Sequence, residues 1–345
     1  MARGLFIKGI GGLTVNSFRA ALIRLSWASL SLAFLAGLLL IPVTTVFAES
    51  NSEPTAIKFR LAGGNADHGS ASILIPVYVE GQGPYAFLLD TGSMRTMISK
   101  DLAKKLDIEE SEPEDGYSAH GNIPMTLGWV KSIQVADAKE KYLKVGISEA
   151  LDEMLSGALG ESIGGTIGFN FLQNYEVTLD FKDTLVHLRR VDVEEEASSA
   201  SGQGSVPIRL ADPPQNPIIL VPVTINGEGP YTFILDTGAS LSLISPDLAR
   251  EHGIKPGEKA PVPNQPDARF GFVPSIELGD ESVEDLRIVI ADLLDPISRA
   301  LGEDLHGIIG YNFICKFRVV LDYPNLDLRL SSGSPSKSLA SSRYQ

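Results

Sequence analysis

The stretch PVYVEGQGPYAFLLDTGSMRTMIS at 76–99 returns without a gap as PVTINGEGPYTFILDTGASLSLIS at 222–245, an offset of 146. Just over half of the aligned positions are identical, and the match continues through DLAKKLDI (101–108) and DLAREHGI (247–254). A second block follows in each half, GTIGFNFLQNYEVTLDF (165–181) against GIIGYNFICKFRVVLDY (307–323). Two blocks in the same order and at similar spacing mean that a domain has been duplicated. Both halves carry β signals. SILIPVYV and PIILVPVTI are β-rich runs that lead into EGQG and NGEG, which read as hairpin turns. Short apolar strands YAFLLD and YTFILD follow, each ending on an aspartate. SKDLAKKL and SPDLAREH read as short helices opened by a serine cap, with Pro246 near the first helical position of the second. No alternation of strands with long helices appears, so the expected fold is mainly β, two small closed β structures rather than a doubly wound sheet.

The organisation expected from these signals is an N-terminal lobe over 56–192, a linker over 193–205, and a C-terminal lobe over 206–331. A polar tail fills 332–345. The linker VEEEASSASGQGS is acidic and then rich in serine and glycine, with too little apolar surface to order itself. Residues 1–48 read differently. Arg3, Lys8, Arg19 and Arg24 precede an uncharged run from Leu25 to Ala48 that ends Val46-Phe47-Ala48. That is the pattern of a signal peptide cleaved before Glu49, although the run is also long enough to serve as an uncleaved membrane anchor. In either case the remainder is expected to be exported, periplasmic or secreted, and possession of residues 25–48 would tether it.

The chain has 345 residues and a formal charge of −14, which becomes −18 without residues 1–48. Such a surface repels phosphate backbones, so nucleic acid is excluded as a partner. The single cysteine, Cys315, permits no internal disulfide, and its apolar setting FICKFRVVLDY marks a structural thiol. The five histidines, His68, His120, His187, His252 and His306, show no paired ligand spacing, so no metal and no cofactor are expected.

Chemistry is expected at the two Asp-Thr-Gly turns, Asp90-Thr91-Gly92 and Asp236-Thr237-Gly238. Each is delivered by an apolar strand. A glycine two residues after the aspartate lets two turns approach where a Cβ would hold them apart. The threonine hydroxyl can hydrogen-bond across to the opposite turn. The plain alternative is a pair of turn aspartates capping backbone amides, and the duplication argues against it.

LLDTGS and ILDTGAS, each with a downstream apolar-apolar-glycine (Thr166-Ile167-Gly168 and Ile308-Ile309-Gly310), resemble the pepsin and retropepsin clan of aspartic proteases. The likeness covers most of 70–331 and is greatest to bacterial retropepsin-like proteins with two fused lobes. It implies a six-stranded barrel per lobe, a pseudo-twofold between lobes, and a cleft crossing Asp90 and Asp236 as the catalytic pair. Gly168 and Gly310 would lie on strands packed beside the aspartate turns. The implied activity is that of an endopeptidase acting on peptide or protein substrates, with water activated between the two carboxyls. A silent peptide-binding protein of the same fold is the alternative. A glycosidase also uses two carboxylates but leaves Thr-Gly after both unexplained. Ser93 follows the first turn and Ala239 the second, so only lobe one is expected to offer a hydroxyl to its carboxylate. Loops near His120-Gly121-Asn122 and from Gln265 to Phe270 are positional candidates for covering flaps. The short linker favours pairing of the lobes within one chain, hence a monomer.

Overall fold

The computed structural model describes residues 55–64, 69–118, 121–191, 204–211 and 217–332. The N-terminal segment 1–48, most of the linker, His120 and the tail from 333 onward therefore lie outside the described residues. Among the described residues, no helix is long and apolar enough to cross a membrane.

Each half closes a six-stranded barrel. In lobe one the ring runs Ser72–Val79, Gln82–Leu89, Gly165–Ile167, Met97–Ser99, Ala138–Ser148 and Gly121–Val135. It closes where Tyr78 and Val79 meet Gln134 and Ile133. Lobe two repeats it with Ile218–Ile225, Glu228–Leu235, Gly307–Ile309, Leu243–Ile244, Glu281–Ile290 and Arg269–Leu278. Its closure is Thr224 and Ile225 against Glu277 and Ile276.

Local chemistry explains the shared geometry. The hairpin turns Glu80-Gly81 and Asn226-Gly227 hold all four residues at positive φ, the two-residue turn whose twist suits flanking antiparallel strands. Ser99 Oγ accepts from Leu102 N at 3.2 Å and Ser245 Oγ from Leu248 N at 3.1 Å. These serines cap the helices Lys100–Lys105 and Pro246–Glu251, the second with proline in its first turn.

Alternation places the core. Ile73, Ile75, Val77, Phe87 and Leu89 in lobe one, and Ile219, Val221, Val223, Phe233 and Leu235 in lobe two, point into the barrels. Both interiors belong to one continuous buried cluster, because a third sheet joins the lobes. That sheet runs Thr55–Lys58, Leu185–Arg190, Tyr175–Asp180, Arg318–Asp322, Asp327–Ser331 and Ser205–Pro207. Its central antiparallel pair sets Val177 opposite Leu321 and Leu179 opposite Val319. Those four are repeat equivalents, so the pseudo-twofold axis passes between the two strands. The expected linker therefore ends sooner than its composition suggested: Ser205 already belongs to this sheet, paired with Arg329. Cys315 is half-buried on the turn after Tyr311–Ile314, and burial pushes its thiol up, in keeping with a structural role.

Candidate active site

The strands Gln82–Leu89 and Glu228–Leu235 each stop one residue before an aspartate. The glycine strand of each lobe lies parallel beside them, and its last carbonyl takes the aspartate's own amide. Asp90 N donates to Ile167 O at 3.1 Å, and Asp236 N to Ile309 O at 3.0 Å. The next glycine tucks under the turn. A Cβ on Gly168 would come within 2.8 Å of Ser93 O, and one on Gly310 within 2.8 Å of Ala239 O.

The two turns meet on the pseudo-twofold axis. Thr91 Oγ1 donates to Leu235 O at 2.8 Å and accepts from Thr237 N at 3.0 Å. Thr237 Oγ1 donates to Leu89 O at 2.7 Å and accepts from Thr91 N at 3.1 Å. Both threonines are buried, so each hydroxyl satisfies two backbone groups that closure removes from water. The glycines make this contact sterically feasible. A Cβ on Gly92 would stand 2.5 Å from Asp236 Cγ, and one on Gly238 would stand 2.7 Å from Asp90 Oδ1.

A model of the family described as aspartyl protease matches residues 75–171 and again 221–313. The chain belongs to the aspartyl protease family. No curated protein matches it significantly in sequence. Among solved structures, the aspartic proteinase from Irpex lacteus is similar at TM-score 0.49 and 14% identity, over 83% of this chain and 99% of that one.

In this aspartyl protease the carboxyls of Asp90 and Asp236 lie within hydrogen-bonding reach of each other. Burial holds Asp90 well above the ordinary carboxylate range, and the charge of Asp236 adds to the shift. Asp236 is also raised by burial, but the amides of Gly238 (2.8 Å) and Ala239 (3.2 Å) both donate to its Oδ1 and oppose the rise. At Asp90 the amides of Gly92 and Ser93 likewise oppose the rise, Gly92 N donating to Oδ1 at 3.1 Å. The pair therefore keeps a shared proton at pH values where isolated carboxyls have lost theirs.

The expected role of Ser93 is corrected here. Its hydroxyl donates to Arg95 O at 2.7 Å, not to the carboxylate, because the turn presents a carbonyl at that place. The turn hydroxyl therefore does not tune the pair, and a serine at 239 would face the equivalent carbonyl of Leu241. We predict that Ser93→Ala costs about 1 kcal/mol of stability, one hydrogen bond's worth. Neither it nor Ala239→Ser should move the alkaline limb of the pH profile. Rate profiles of both variants check this, and a clear displacement in either would restore a hydroxyl role.

Sequence reasoning missed four polar residues that brace the turns. Asn170 Oδ1 accepts from Thr96 N at 2.7 Å, its Nδ2 donates to Lys144 O at 2.7 Å, and Thr96 Oγ1 accepts from Gly168 N at 3.2 Å. Lobe two repeats the lattice. Asn312 Oδ1 accepts from Ser242 N at 2.7 Å, Asn312 Nδ2 donates to Arg287 O at 2.7 Å, and Ser242 Oγ accepts from Gly310 N at 3.0 Å. The signal was present as Gly-Phe-Asn-Phe and Gly-Tyr-Asn-Phe, one asparagine after each structural glycine.

The covering elements differ between lobes. Lobe one carries an extra arm, Glu110–Ser118, paired back on Gly121–Val135 with Tyr117 opposite Asn122 and Ser118 opposite Gly121. Arg95, five residues past Asp90, ties this hairpin down through Glu114 at 2.8 Å. Lobe two has no second arm among the described residues. Gln265 to Phe270 is instead the return limb of a shorter antiparallel loop, bridged at Lys259 and Arg269, with Ala260 N to Ala268 O at 3.0 Å and Phe270 N to Glu258 O at 2.9 Å. Both flap candidates therefore fold back antiparallel, the first as a long two-stranded arm and the second on a single bridge. His252 gathers with Glu228 and Glu251, and Tyr231 accounts for the grouping by donating to Glu251 and contacting His252 Nε2, both at 2.9 Å.

Proposed function

We propose that this chain is an aspartic-type endopeptidase whose water nucleophile is activated between Asp90 and Asp236. The observation that carries the reading is the convergence of two half-buried carboxyls from equivalent strand ends. A Cβ on Gly238 would stand 2.7 Å from Asp90 Oδ1 and 3.0 Å from Asp236 Oδ1, which places the pair near enough to share one proton. The ionised member takes a proton from the water as its oxygen attacks the scissile carbonyl. The protonated member gives its proton to the carbonyl oxygen. The resulting gem-diol collapses as the amide nitrogen is protonated and the C–N bond breaks, and no covalent enzyme adduct forms. Titration belongs to the pair, so acid and base are roles of the dyad rather than of either residue.

Peptide or protein chains are the proposed substrates, bound under the lobe-one hairpin. One chain supplies both aspartates, so the proposed active form is a monomer. Purified mature protein should cleave members of an unbiased peptide library, be blocked by the statine-containing inhibitor pepstatin, and elute as a monomer while doing so. A folded protein that cleaves nothing between pH 3 and 8 would reject the reading.

Export is proposed from Arg3, Lys8, Arg19 and Arg24 followed by the uncharged run 25–48. Mass spectrometry of the mature protein should find Glu49 as the first residue. An intact Met1 in a membrane fraction would replace cleavage by anchoring, and recovery from the cytosol would overturn export altogether.

A further inference from the structure

One hairpin of each barrel shares the same ladder in both lobes and carries the opposite charge. In lobe one Gly121–Val135 turns into Ala138–Ser148, with Trp129 opposite Lys144, Ser132 opposite Lys141 and Ile133 opposite Glu140. In lobe two Arg269–Leu278 turns into Glu281–Ile290, with Phe272 opposite Arg287, Ser275 opposite Glu284 and Ile276 opposite Val283. Residue for residue, KSIQVADAKEKYLK (131–144) stands where lobe two has PSIELGDESVEDLR (274–287). The first segment has four lysines against two acids, and the second has one arginine against five acids. Beyond residue 48 the chain as a whole is strongly acidic, so the lobe-one hairpin runs against its surroundings. Fields from distant acids fade beyond about 8 Å at physiological ionic strength, and the lysines act on whatever lies directly against them.

Aromatic rings stand among these lysines. Trp129 is 59% exposed and Tyr142 is 76% exposed. Tyr142 holds φ at 51°, in the left-handed region that a bulky side chain rarely occupies. Its lobe-two counterpart, Asp285, holds φ at 50°, where a short polar side chain fits more easily. The hairpin thus keeps a large ring at a strained position with most of its surface in water, and packing within the chain gives no reason for it. Nearby acids leave the cations available. Glu140 is held by Arg190 and accepts from Tyr175 Oη at 2.9 Å. Glu80 and Glu112 stand 3.6 Å from Lys131 and Lys144, yet Lys131 leaves 85% of its side chain in water. Lys139 and Lys141 are exposed.

We propose that the lobe-one hairpin docks the protein on a bilayer that carries anionic phospholipid. The lysines meet the headgroup phosphates, and Trp129 and Tyr142 enter the interfacial layer, where rings with one polar edge are at home. All four cations are lysines, compact charges on flexible stems that suit a diffuse anionic surface. A carboxylate-bearing protein partner is matched better by the fixed fork of arginine, which 129–144 lacks. The lobe-two hairpin exposes Phe272 among acids and is repelled from the same surface. The strand Gly121–Val135 carries the flap arm at one end and the docking residues at the other, so docking holds the candidate site close to the membrane. The proposal stands whether or not the chain is a peptidase.

The chain's other tryptophan, Trp27, falls within residues 1–48, so in the mature protein Trp129 alone reports on docking. Mature protein is mixed with vesicles of phosphatidylglycerol and phosphatidylcholine in equal parts, and with vesicles of phosphatidylcholine only. With the anionic vesicles its emission should shift to the blue and the protein should co-sediment. Both effects should fade as salt is raised and be absent with the neutral vesicles. Lys139→Ala combined with Lys141→Ala should weaken binding about thirty-fold, while Phe272→Ala should leave it unchanged. These side chains are exposed, and melting temperatures of the variants exclude misfolding as the cause. No blue shift with anionic vesicles, equal binding to neutral ones, or binding that survives the double lysine change overturns the docking surface. Binding of polyglutamate without binding of vesicles would assign the hairpin to an acidic protein and overturn the bilayer as its partner.

Discussion

Asparagine at either Asp90 or Asp236 is expected to lower kcat on the order of 10⁴-fold, the upper end of what a positioned proton-transfer group contributes. Asparagine keeps the shape and can accept from Gly92 N or Gly238 N, so the turns should hold. It can neither bind nor release the shared proton. Each single variant should therefore be as inactive as the double, because the two carboxyls act as one unit. Stability should move the other way. Both carboxyls are raised in the folded state, so their contribution to folding is fully present below the ordinary carboxylate range. It is lost as pH rises through the raised values, because the folded protein then resists giving up protons that the unfolded chain releases freely. Asparagine removes that loss. At neutral pH Asp90→Asn should melt higher than the wild type, and the gap should close as pH is lowered below 4. Steady-state kinetics and melting curves across pH check both halves. Near-normal turnover in either single variant would break the dyad.

Valine at Thr237 is expected to be the most damaging change that leaves both aspartates in place. It preserves volume and removes one hydroxyl, but that hydroxyl serves two buried backbone groups. Leu89 O loses its donor and Thr91 N its acceptor, both in lobe one, across the axis from the substituted residue. Each stranded group costs about 1–3 kcal/mol, so the loss should be about 2–6 kcal/mol, a large share of a typical folding free energy. Activity should fall as well, since the lattice sets the spacing of the turns that carry the carboxyls. Thr237→Ser keeps the hydroxyl and should restore most of both. Denaturant titration with kcat/KM for the three proteins makes the test. A valine variant within 1 kcal/mol of the wild type would mean that the cross-axis lattice adds little.

Much of this arrangement was legible before any coordinates, because the duplication turned weak signals into strong ones. A lone Asp-Thr-Gly says little, yet two at an offset of 146 within matching apolar strands specify a convergent pair. The helix caps at Ser99 and Ser245 and the steric need for Gly92 and Gly238 were readable for the same reason. Other features were not. The direction of the Ser93 hydroxyl depends on a rotamer and on a carbonyl two residues away. The bracing asparagines looked like ordinary polar residues after a glycine. Joining of the lobes was hidden too, since nothing in YEVTLD and RVVLD says that Tyr175–Asp180 and Arg318–Asp322 will meet each other. Only register tells which strand a strand will meet.

That central pairing has a consequence for the halves taken apart. Cut anywhere between residues 192 and 204, the chain would yield fragments that each end in a bare sheet edge, Tyr175–Asp180 in one and Arg318–Asp322 in the other. Unsatisfied edges of this kind are templates for further pairing. Because the two strands are repeat equivalents meeting antiparallel across the axis, the surface each fragment lacks is closely imitated by the surface it carries. A half so released is poised to associate with its own copy, Val177 and Leu179 of one meeting Leu179 and Val177 of the other. Fusion of the lobes by a tether secures the unlike partner against that competition.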